Sequence, residues 1–417
     1  MSDISTPADR FNKSIERIDA AIALKEADRI PLAPFLYSVV QNHEGSSYKD
    51  LYYGYREAGD AALRFYSKYP LLDANLFLGF TSGKANELAA SGMIDWPGRP
   101  GTIVADHCSH QVIEQEYLLA EEYPEFLDDY TGFMLRKYIP RAFPNLKGLS
   151  GIAYTPTIVL STSLLAPMCT PEALEAYGVL AEIAKADAEA AQLTAEYQQK
   201  IAELGLPPLV TGAAQAPFDI LGDYFRGTMG IFMDQLERED FIEKACYMFA
   251  DQQIAALQYF NFVPLPVKRV FFPLHKGMDS FMSPAQFERL YWKPLEKIMT
   301  ALIEMGVTPI LYSEGKYNTR LAQLAEVPKG KVVYHFENVD MKEAKRVLGD
   351  TACIMGNLPV YLLEFGKKEE VVDYCKYLID TCGPGGGYIF DTDAVCEGAK
   401  QENLEAMFET FEVHGKY

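Results

Sequence analysis

Short apolar runs alternate with long amphipathic segments from about Arg29 to the end of the chain. The apolar runs are bounded by turn residues and have the length of buried strands, whereas the amphipathic segments are long enough for helices. Strands are predicted at 30–37, 74–80, 151–160, 209–213, 269–274, 308–312, 332–336 and 353–355, with a further one at 388–390. This alternation is typical of strand–helix units around a parallel sheet.

The clearest helix is predicted at 171–204. Thr170 is a suitable N-cap, Pro171 suits the first turn, and Gly205 can terminate the helix. Similar signals predict helices at 284–305, 341–348 and 368–381. Strands that are each followed by a helix favour an α/β fold of the closed (β/α)8 type, a TIM barrel, over an open sheet.

The segment 96–149 does not follow this rhythm, because it is rich in acidic residues, aromatic residues and prolines. We interpret it as a helical insertion in the N-terminal half that covers one mouth of the barrel. No internal repeat or shift in composition marks a second domain. Residues 1–417 are therefore predicted to form a single barrel domain with 96–149 inserted in it.

Charge and cysteine content exclude some classes of protein. The chain has 38 Lys and Arg against 58 Asp and Glu, a net charge of −20, and the acidic residues are scattered. Such a surface repels phosphate backbones and anionic lipids, so neither nucleic acid nor a membrane is an expected partner. The seven cysteines form no CxxC pair, and no secretory leader precedes them. A cytoplasmic location is expected.

In a (β/α)8 barrel, the working residues lie at the carboxyl ends of the strands. The polar residues predicted there are Tyr37, Asn42, His43, Gln215, Asp219, His275, Lys276, Asp279, Glu314, His335, Glu337, Asn357, Asp391 and Asp393.

Glu314 and His335 follow consecutive predicted strands, so their side chains could meet at one metal ion. A carboxylate and an imidazole are ordinary zinc ligands. A third ligand is expected from the loop after the last strand, where Asp391, Asp393 and Cys396 lie close together, and a thiolate would hold zinc most tightly. The alternative is an exposed glutamate and a histidine that is hydrogen-bonded to a backbone carbonyl.

Several ordered motifs resemble the uroporphyrinogen decarboxylase superfamily across nearly the whole chain. They are Ala23-Leu-Lys-Glu-Ala-Asp-Arg29-Ile-Pro31, Ala216-Pro217-Phe218 with Arg226-Gly227, Ser283-Pro284 through Lys293-Pro294, and Gly356-Asn357-Leu358-Pro359 with Leu362-Leu363. The resemblance implies a distorted (β/α)8 barrel. It also implies one of two activities, decarboxylation without a cofactor or zinc-dependent methyl transfer involving cobalamin proteins.

Two departures from the family patterns bear on this choice. True decarboxylases have an arginine-rich segment after the first strand that grips substrate carboxylates, whereas this chain has no arginine between Phe35 and His43. The thiol-activating methyltransferases have an HxC zinc motif where this chain has Tyr312-Ser313-Glu314. The chain therefore most resembles the O-demethylase branch, in which a methyl group passes from a methyl ether to cobalt(I) of a separate corrinoid protein.

On this resemblance, the expected function is zinc-dependent methyl transfer from an aryl methyl ether to a corrinoid protein. Zinc on Glu314, His335 and Cys396 would polarise the ether oxygen, and Tyr37, His275 or Lys276 would donate a proton or hydrogen bond. Asp219, Asp279 and Phe218 are the expected substrate contacts. The expected partners are a corrinoid protein and a small-molecule methyl donor, and a homodimer is compatible with the sequence.

Two alternatives remain open. One is a decarboxylase-like lyase acting on a tetrapyrrole, in which Asp219 or Asp279 would steady the pyrrole nitrogens. The other is a non-catalytic, corrinoid-handling protein that kept the barrel and lost the metal. Zinc content separates the first function from these two, since about one zinc per chain is expected only for the methyltransferase.

Overall fold

The computed structural model describes residues 6–154 and 161–417. A six-stranded parallel sheet, whose strand order follows the chain, forms its centre, and a separate antiparallel hairpin lies outside it. The hairpin consists of β1 (Ile94–Asp95) and β2 (Gln111–Val112). The sheet consists of β3 (Gly212–Ala213), β4 (Arg269–Leu274), β5 (Thr308–Ser313), β6 (Val333–Phe336), β7 (Cys353–Met355) and β8 (Tyr388–Ile389).

Two extended segments close this sheet into a ring. Leu32 forms a parallel bridge with Phe390 after β8, and Asn75 forms a parallel bridge with Pro208 before β3. The backbone N–H of Asp73 donates to the carbonyl of Leu32 at 2.9 Å and so joins the two segments. Within the described part of the chain, the six strands and two bridged segments make eight strand positions, which confirms the predicted (β/α)8 class.

The predicted strand at 151–160 falls mostly outside the part of the chain that the structure describes. Residues 155–160 lie outside the described residues, and Gly151 ends a 3-10 helical segment, Pro144–Gly151. Asn75 bridges directly to Pro208, so the ring as described has no strand between these two positions. The eighth position is occupied by β8, which corresponds to the further strand predicted at 388–390.

Side chains of the barrel strands alternate between the interior and the surrounding helices, as the pleat of a strand requires. The interior cluster contains Phe35, Ile310, Tyr312, Val333, Met355 and Ile389. The cluster beneath the helices contains Phe272, Leu311, Tyr334, Ile354 and Phe390. If every second residue continues to point inward past the end of each strand, the side chains at the barrel mouth are those of His275, Glu314, Glu337 and Asp393.

The long helix predicted at 171–204 is present as Pro171–Glu203, and the hydroxyl of Thr170 caps it by accepting from the Ala173 N–H at 3.2 Å. Among the described residues, no helix has both the length and the apolar character needed to cross a bilayer. The helices are α1 (Pro7–Ile22), α2 (Val39–Asn42), α3 (Tyr55–Lys68), α4 (Gly83–Ala89), α5 (Tyr123–Asp128), α6 (Tyr130–Phe133), α7 (Ile139–Ala142), α8 (Pro171–Glu203), α9 (Pro217–Ile220), α10 (Gly227–Glu237), α11 (Glu239–Ala256), α12 (Pro284–Gln286), α13 (Lys293–Glu304), α14 (Leu321–Leu324), α15 (Met341–Leu348), α16 (Val360–Glu364), α17 (Lys368–Cys382) and α18 (Gln401–His414).

The segment 96–149 contacts loops that follow several barrel strands. The hydroxyl of Ser109 donates to Glu397, in the loop after β8, and the Leu118 N–H donates to the carbonyl of Phe225 at 2.9 Å. Tyr123, Phe126 and Phe133 of the same segment are fully buried in the main hydrophobic core. The segment is therefore packed onto the barrel through apolar side chains as well as through polar contacts at the loops.

Candidate active site at the barrel mouth

Four charged side chains meet at the carboxyl ends of β4 and β5. His275 Nδ1 lies 2.6 Å from Asp223 Oδ2, and His275 Nε2 lies 3.6 Å from Glu314 Oε1. Lys276 Nζ donates to the other oxygen of Asp223. We call Asp223, His275, Lys276 and Glu314 the mouth cluster. In this cluster the His275 imidazole lies between the carboxylates of Asp223 and Glu314, and the Lys276 ammonium group is bonded to Asp223.

Asp219 holds the loop that carries His275 and Lys276. Its carboxylate accepts from the backbone N–H of His275 at 2.8 Å and of Lys276 at 2.9 Å, and from the hydroxyl of Tyr291 at 2.6 Å. Asp223 comes four residues later, in a π-helical turn, Leu221–Arg226, that continues α9. The helical residues 217–226 thus hold the loop of His275 and Lys276 by means of Asp219, and they also supply Asp223 to the cluster.

The carboxylates make the mouth cluster favourable for positive charge. Burial disfavours the charged imidazole, but Asp223, Asp219 and Glu314 outweigh burial and raise the pKa of His275 to about 9. Burial raises the pKa of Glu314, and Glu337 adds to that effect, while His275 opposes it. For Asp223, burial is outweighed by His275 and Lys276, which lower its pKa. A proton or a metal ion at His275 is stabilised by the same charges.

Asp219 and Phe218 do not have the substrate-binding positions that the sequence suggested. Both side chains are fully buried. Phe218 packs against Phe281 and Tyr291, and the hydrogen bonds of Asp219 go to groups of the protein itself. Burial, followed by the charge of Asp223, raises the pKa of Asp219 to about 6. Both residues therefore lie beneath the mouth cluster and contact groups of the protein itself.

Asp279 has a similar internal role. Its carboxylate accepts from the Thr319 hydroxyl at 2.6 Å and from the Thr319 N–H at 3.2 Å. These bonds join the loops that follow β4 and β5. The carboxylate thereby connects two mouth loops, in contrast to the substrate contact that was predicted.

The predicted metal ligands Glu314, His335 and Cys396 are not brought together. The described residues contain no group of three or more His, Cys, Asp or Glu side chains placed to hold a metal ion. His335 is paired in register with Tyr312, so it lies one layer deeper than Glu314, roughly 6–7 Å along the strand direction. Its Nε2 lies 2.7 Å from the carbonyl of Thr392, and its ring stacks on Tyr312 with centroids 4.1 Å apart. Burial lowers the pKa of His335 to about 4.

Cys396 lies on the outer side of the barrel wall. Its side chain is buried in the main hydrophobic core, and Sγ is 3.4 Å from the carbonyl of Gly398. Burial raises the pKa of this thiol to about 12, so the thiolate that zinc requires is disfavoured. Glu314 instead faces His275, a residue that the sequence suggested as a proton donor.

Tyr37, the third predicted proton donor, lies near the mouth but contacts none of the cluster residues. Its hydroxyl pairs with that of Tyr48, and its ring packs edge-on against Phe35. Burial is the main factor that raises its pKa. The phenol is therefore neutral at neutral pH, and it lines a separate cavity.

A cavity of about 900 Å³ lies between the second barrel segment and β4. Its walls include Phe77, Leu78, Tyr224, Phe271 and Pro273. Gln215 also lines it and donates to Asp223 Oδ2 at 2.8 Å. A mostly apolar cavity therefore adjoins the mouth cluster, and the hydrogen bond from Gln215 to Asp223 connects the two.

The arginines around this site are committed to internal partners. Arg226 Nε lies 2.5 Å from Asp234 Oδ2, and Arg320 donates to the carbonyl of Met282 at 2.6 Å. Both side chains are almost completely buried. Neither guanidinium is presented to the mouth as a grip for substrate carboxylates.

Asp223 and Glu114 were missed by the sequence interpretation. Asp223 follows Asp219 by four residues, a spacing that places two carboxylates on one helical face, so this signal was present. Glu114 reaches Lys276 Nζ at 3.7 Å and accepts from the Thr228 hydroxyl at 2.6 Å. Nothing local in the sequence connects Glu114 with Lys276, because the contact depends on how the segment 96–149 packs.

The closed barrel with a charged cluster at its carboxyl mouth defines a (β/α)8 protein with an enzyme-like site. Residues 161–414 match the uroporphyrinogen decarboxylase family, and the chain belongs to that family. A methyltransferase from Methanosarcina mazei has a similar fold, with a TM-score of 0.55 and 14% sequence identity over 98% of each chain. No curated protein matches the chain significantly in sequence.

Proposed function

We propose that the protein is a cytoplasmic methyltransferase that moves a methyl group from a methoxylated aromatic compound to the cobalt(I) of a separate corrinoid protein. The observation that carries the proposal is the mouth cluster, in which His275 lies between Asp223 and Glu314. The M. mazei protein with a similar fold is named a methyltransferase, and this supports the proposal. The internal pairing of Arg226 and Arg320 favours it over decarboxylation of a polycarboxylate.

Cleavage of an aryl methyl ether leaves negative charge on oxygen, and the catalyst has to stabilise that charge. The mouth cluster suits this task because its carboxylates stabilise a positive charge, that of a proton or a metal ion, at His275. The adjoining cavity of about 900 Å³ has aromatic and aliphatic walls for the ring of the methyl donor. Lys276 orients the oxygen of the substrate by hydrogen bonding, and the apolar walls limit the access of water.

His275 and Glu314 fit a zinc ion better than the predicted pair of Glu314 and His335. Their donor atoms are 3.6 Å apart, close to the roughly 3.3–3.6 Å expected for two ligands at about 2.0–2.2 Å from one tetrahedral zinc. Asp223, which is bonded to Nδ1 of His275, would be the outer carboxylate that orients this histidine as a zinc ligand. Zinc bound there would act as a Lewis acid toward the ether oxygen.

The experiment combines the zinc-loaded protein with free cob(I)alamin and 2-methoxyphenol under anaerobic conditions. Methyl transfer converts the cobalt(I) absorbance spectrum into that of methylcobalamin, and we expect this change with the wild type but not with His275→Ala. An Asp128→Asn variant, altered at an exposed position, is the matched control. Absence of methylcobalamin with the wild type and a panel of methoxylated aromatics would refute the proposal and leave a non-catalytic corrinoid-handling role.

A further inference from the structure

Tyr224 is a half-buried residue in the wall of the cavity of about 900 Å³. It directly follows Asp223 in the π-helical turn Leu221–Arg226, and Gln215, another residue of the cavity wall, donates to Asp223 Oδ2 at 2.8 Å. Burial, followed by the charge of Asp223, raises the pKa of Tyr224, so the phenol keeps its proton at neutral pH. A proton-bearing hydroxyl therefore lies where the cavity adjoins the mouth cluster.

The hydroxyl proton of Tyr224 is not committed to the protein. Gln215 is the one hydrogen-bond partner of this phenol among the described residues, and it opposes burial by lowering the pKa of Tyr224. An amide N–H that donates to the phenol oxygen has this effect, because it stabilises the phenolate. The oxygen of Tyr224 is thus held by a donor, while its own O–H remains available to an acceptor in the cavity.

No other side-chain donor of the described cavity wall is similarly available. These donors are Asn75, Gln198, Thr211, Gln215 and Gln253. Gln198 is exposed on the long helix α8. Each of the remaining four donates to a carbonyl or carboxylate oxygen of the protein itself. A polar atom of a ligand in this cavity would therefore meet Tyr224 as its side-chain donor.

Methyl transfer leaves the aryl oxygen with both electrons of the carbon–oxygen bond. The lone pair of cobalt(I) forms the new cobalt–carbon bond, and the aryl group departs as a phenolate. A hydrogen bond to the oxygen becomes stronger as the negative charge develops, so a donor fixed there favours the transition state over the bound ether. An uncommitted phenol beside the mouth cluster suits this position.

We propose that Tyr224 is a catalytic residue whose hydroxyl donates a hydrogen bond to the leaving oxygen of the methyl donor. The role rests on the function proposed above, with the aryl ring in the cavity of about 900 Å³. The proton remains on Tyr224, and the negative charge leaves with the phenolate. Gln215 connects Tyr224 with Asp223 and so with His275. Tyr224 takes the part that the sequence suggested for Tyr37, which lines the other cavity.

The kinetic test uses Tyr224→Phe, which removes the hydroxyl and keeps the ring. We expect kcat with 2-methoxyphenol to fall about 100-fold and KM to change little, because the ether oxygen is a weak acceptor before the bond breaks. With 4-nitroanisole the fall should be smaller, about 10-fold, because the nitro group draws charge away from the oxygen. Tyr361→Phe, at an exposed tyrosine, is the matched control and should behave as the wild type. Equal losses with both methyl donors, or no loss, would overturn the proposal.

Binding tests the same hydrogen bond without turnover, by isothermal titration calorimetry of the full chain. The probes are 4-nitrophenolate, at a pH where it is ionised, and nitrobenzene, which keeps the ring and lacks the phenolate oxygen. Tyr224→Phe should bind 4-nitrophenolate about 10-fold more weakly than the wild type, and nitrobenzene equally well. Equal phenolate affinities in the two proteins, or no phenolate binding to the wild type, would contradict the hydrogen bond.

The two experiments separate the failure of this proposal from the failure of the proposed function. If the wild type transfers no methyl group but its phenolate affinity depends on Tyr224, the proposed function fails and the hydrogen bond from Tyr224 to an aryl oxygen stands. If the wild type transfers methyl groups and Tyr224→Phe transfers them at the same rate, the role of Tyr224 fails and the function stands.

Discussion

His275 and His335 have opposite surroundings, since His275 follows β4 whereas His335 lies within β6. His275 lies among carboxylates at the mouth, where its Nε2 faces Glu314 at 3.6 Å. His335 lies inside the barrel, where its Nε2 is engaged by the carbonyl of Thr392 at 2.7 Å. The first environment stabilises a cation, whereas the second stabilises a neutral ring.

Alanine variants of the two histidines should therefore behave differently. His275→Ala is expected to remove most of the bound zinc with little change in thermal stability. His335→Ala should keep the zinc and lower the free energy of unfolding by about 1–3 kcal/mol, since it loses the bond to Thr392 and the stacking on Tyr312. Zinc analysis and thermal melting of both variants check this. Loss of zinc from His335→Ala but not from His275→Ala would instead support Glu314 and His335, the pair predicted from the sequence, as the zinc ligands.

Asp223 orients His275 through Nδ1, so its effect on zinc should be indirect but large. Asp223→Asn is expected to weaken zinc affinity by about 10–100-fold, the usual effect of losing an outer-shell carboxylate. Competition with a chelator measures the affinity, and the exposed Asp128→Asn serves as the control. Unchanged zinc affinity in Asp223→Asn would argue against His275 as a ligand.

Two ionic networks hold elements of the fold in place. In the segment 96–149, Arg141 makes two bonds to Glu122, at 2.7 and 2.8 Å, and Lys137 adds one at 2.9 Å. At the start of the barrel, Asp73 pairs with Arg17 and with Arg29, and accepts from the Leu32 N–H at 2.8 Å. Asp73 is fully buried, so these partners and the Ser14 hydroxyl, at 3.3 Å, take the place of water around its carboxylate.

Glu122 should make stability depend on pH. Its hydrogen bond to Arg141, against the opposing effect of burial, lowers its pKa from 4.5 to about 2. Because the folded pKa lies below the unfolded value, the stabilisation is present above about pH 4.5 and is lost as the pH falls toward 2. Glu122→Gln should cost about 1.5–3 kcal/mol at pH 7 and much less near pH 2. Denaturant unfolding at both pH values tests this, and an equal loss at both would contradict it.

Asp73→Asn should destabilise the closure of the barrel. The substitution takes the carboxylate partner from Arg29 and leaves Arg17 with Asp28 alone, and removing one partner of a buried pair typically costs about 3–5 kcal/mol. The same change at the exposed Asp128 should leave the melting temperature within experimental error. A melting temperature for Asp73→Asn equal to that of the wild type would show that the network does not support the closure.

At the scale of the whole molecule, the net charge of −20 governs encounters with other macromolecules. We expect no binding to duplex DNA or to RNA at 150 mM salt, because the phosphate backbone is repelled. Electrophoretic mobility shift with increasing protein concentration checks this. A salt-sensitive shift at micromolar protein would contradict the expectation and would require a local basic surface.

The sequence by itself determined the strand–helix alternation and therefore the barrel. A strand shows its burial as a local run of apolar residues, and a helix shows its ends through caps such as Thr170. The family followed from short motifs, which are also local. The predicted strand at 151–160 falls mostly on residues 155–160, outside the described residues, and stays a prediction.

Only the tertiary structure decided which side chains meet at the mouth. Glu314 follows β5, but His335 lies within the adjacent strand β6, where the register pairs it with Tyr312. Register is a property of the hydrogen-bonded ladder between strands. Asp223 and Glu114 reach the cluster from a π-helical turn and from the segment 96–149, far along the chain from His275. Packing likewise places Asp219 and Phe218 in the core beneath the mouth cluster. Convergence of distant residues and depth in the core depend on packing in three dimensions, which local residue patterns do not encode.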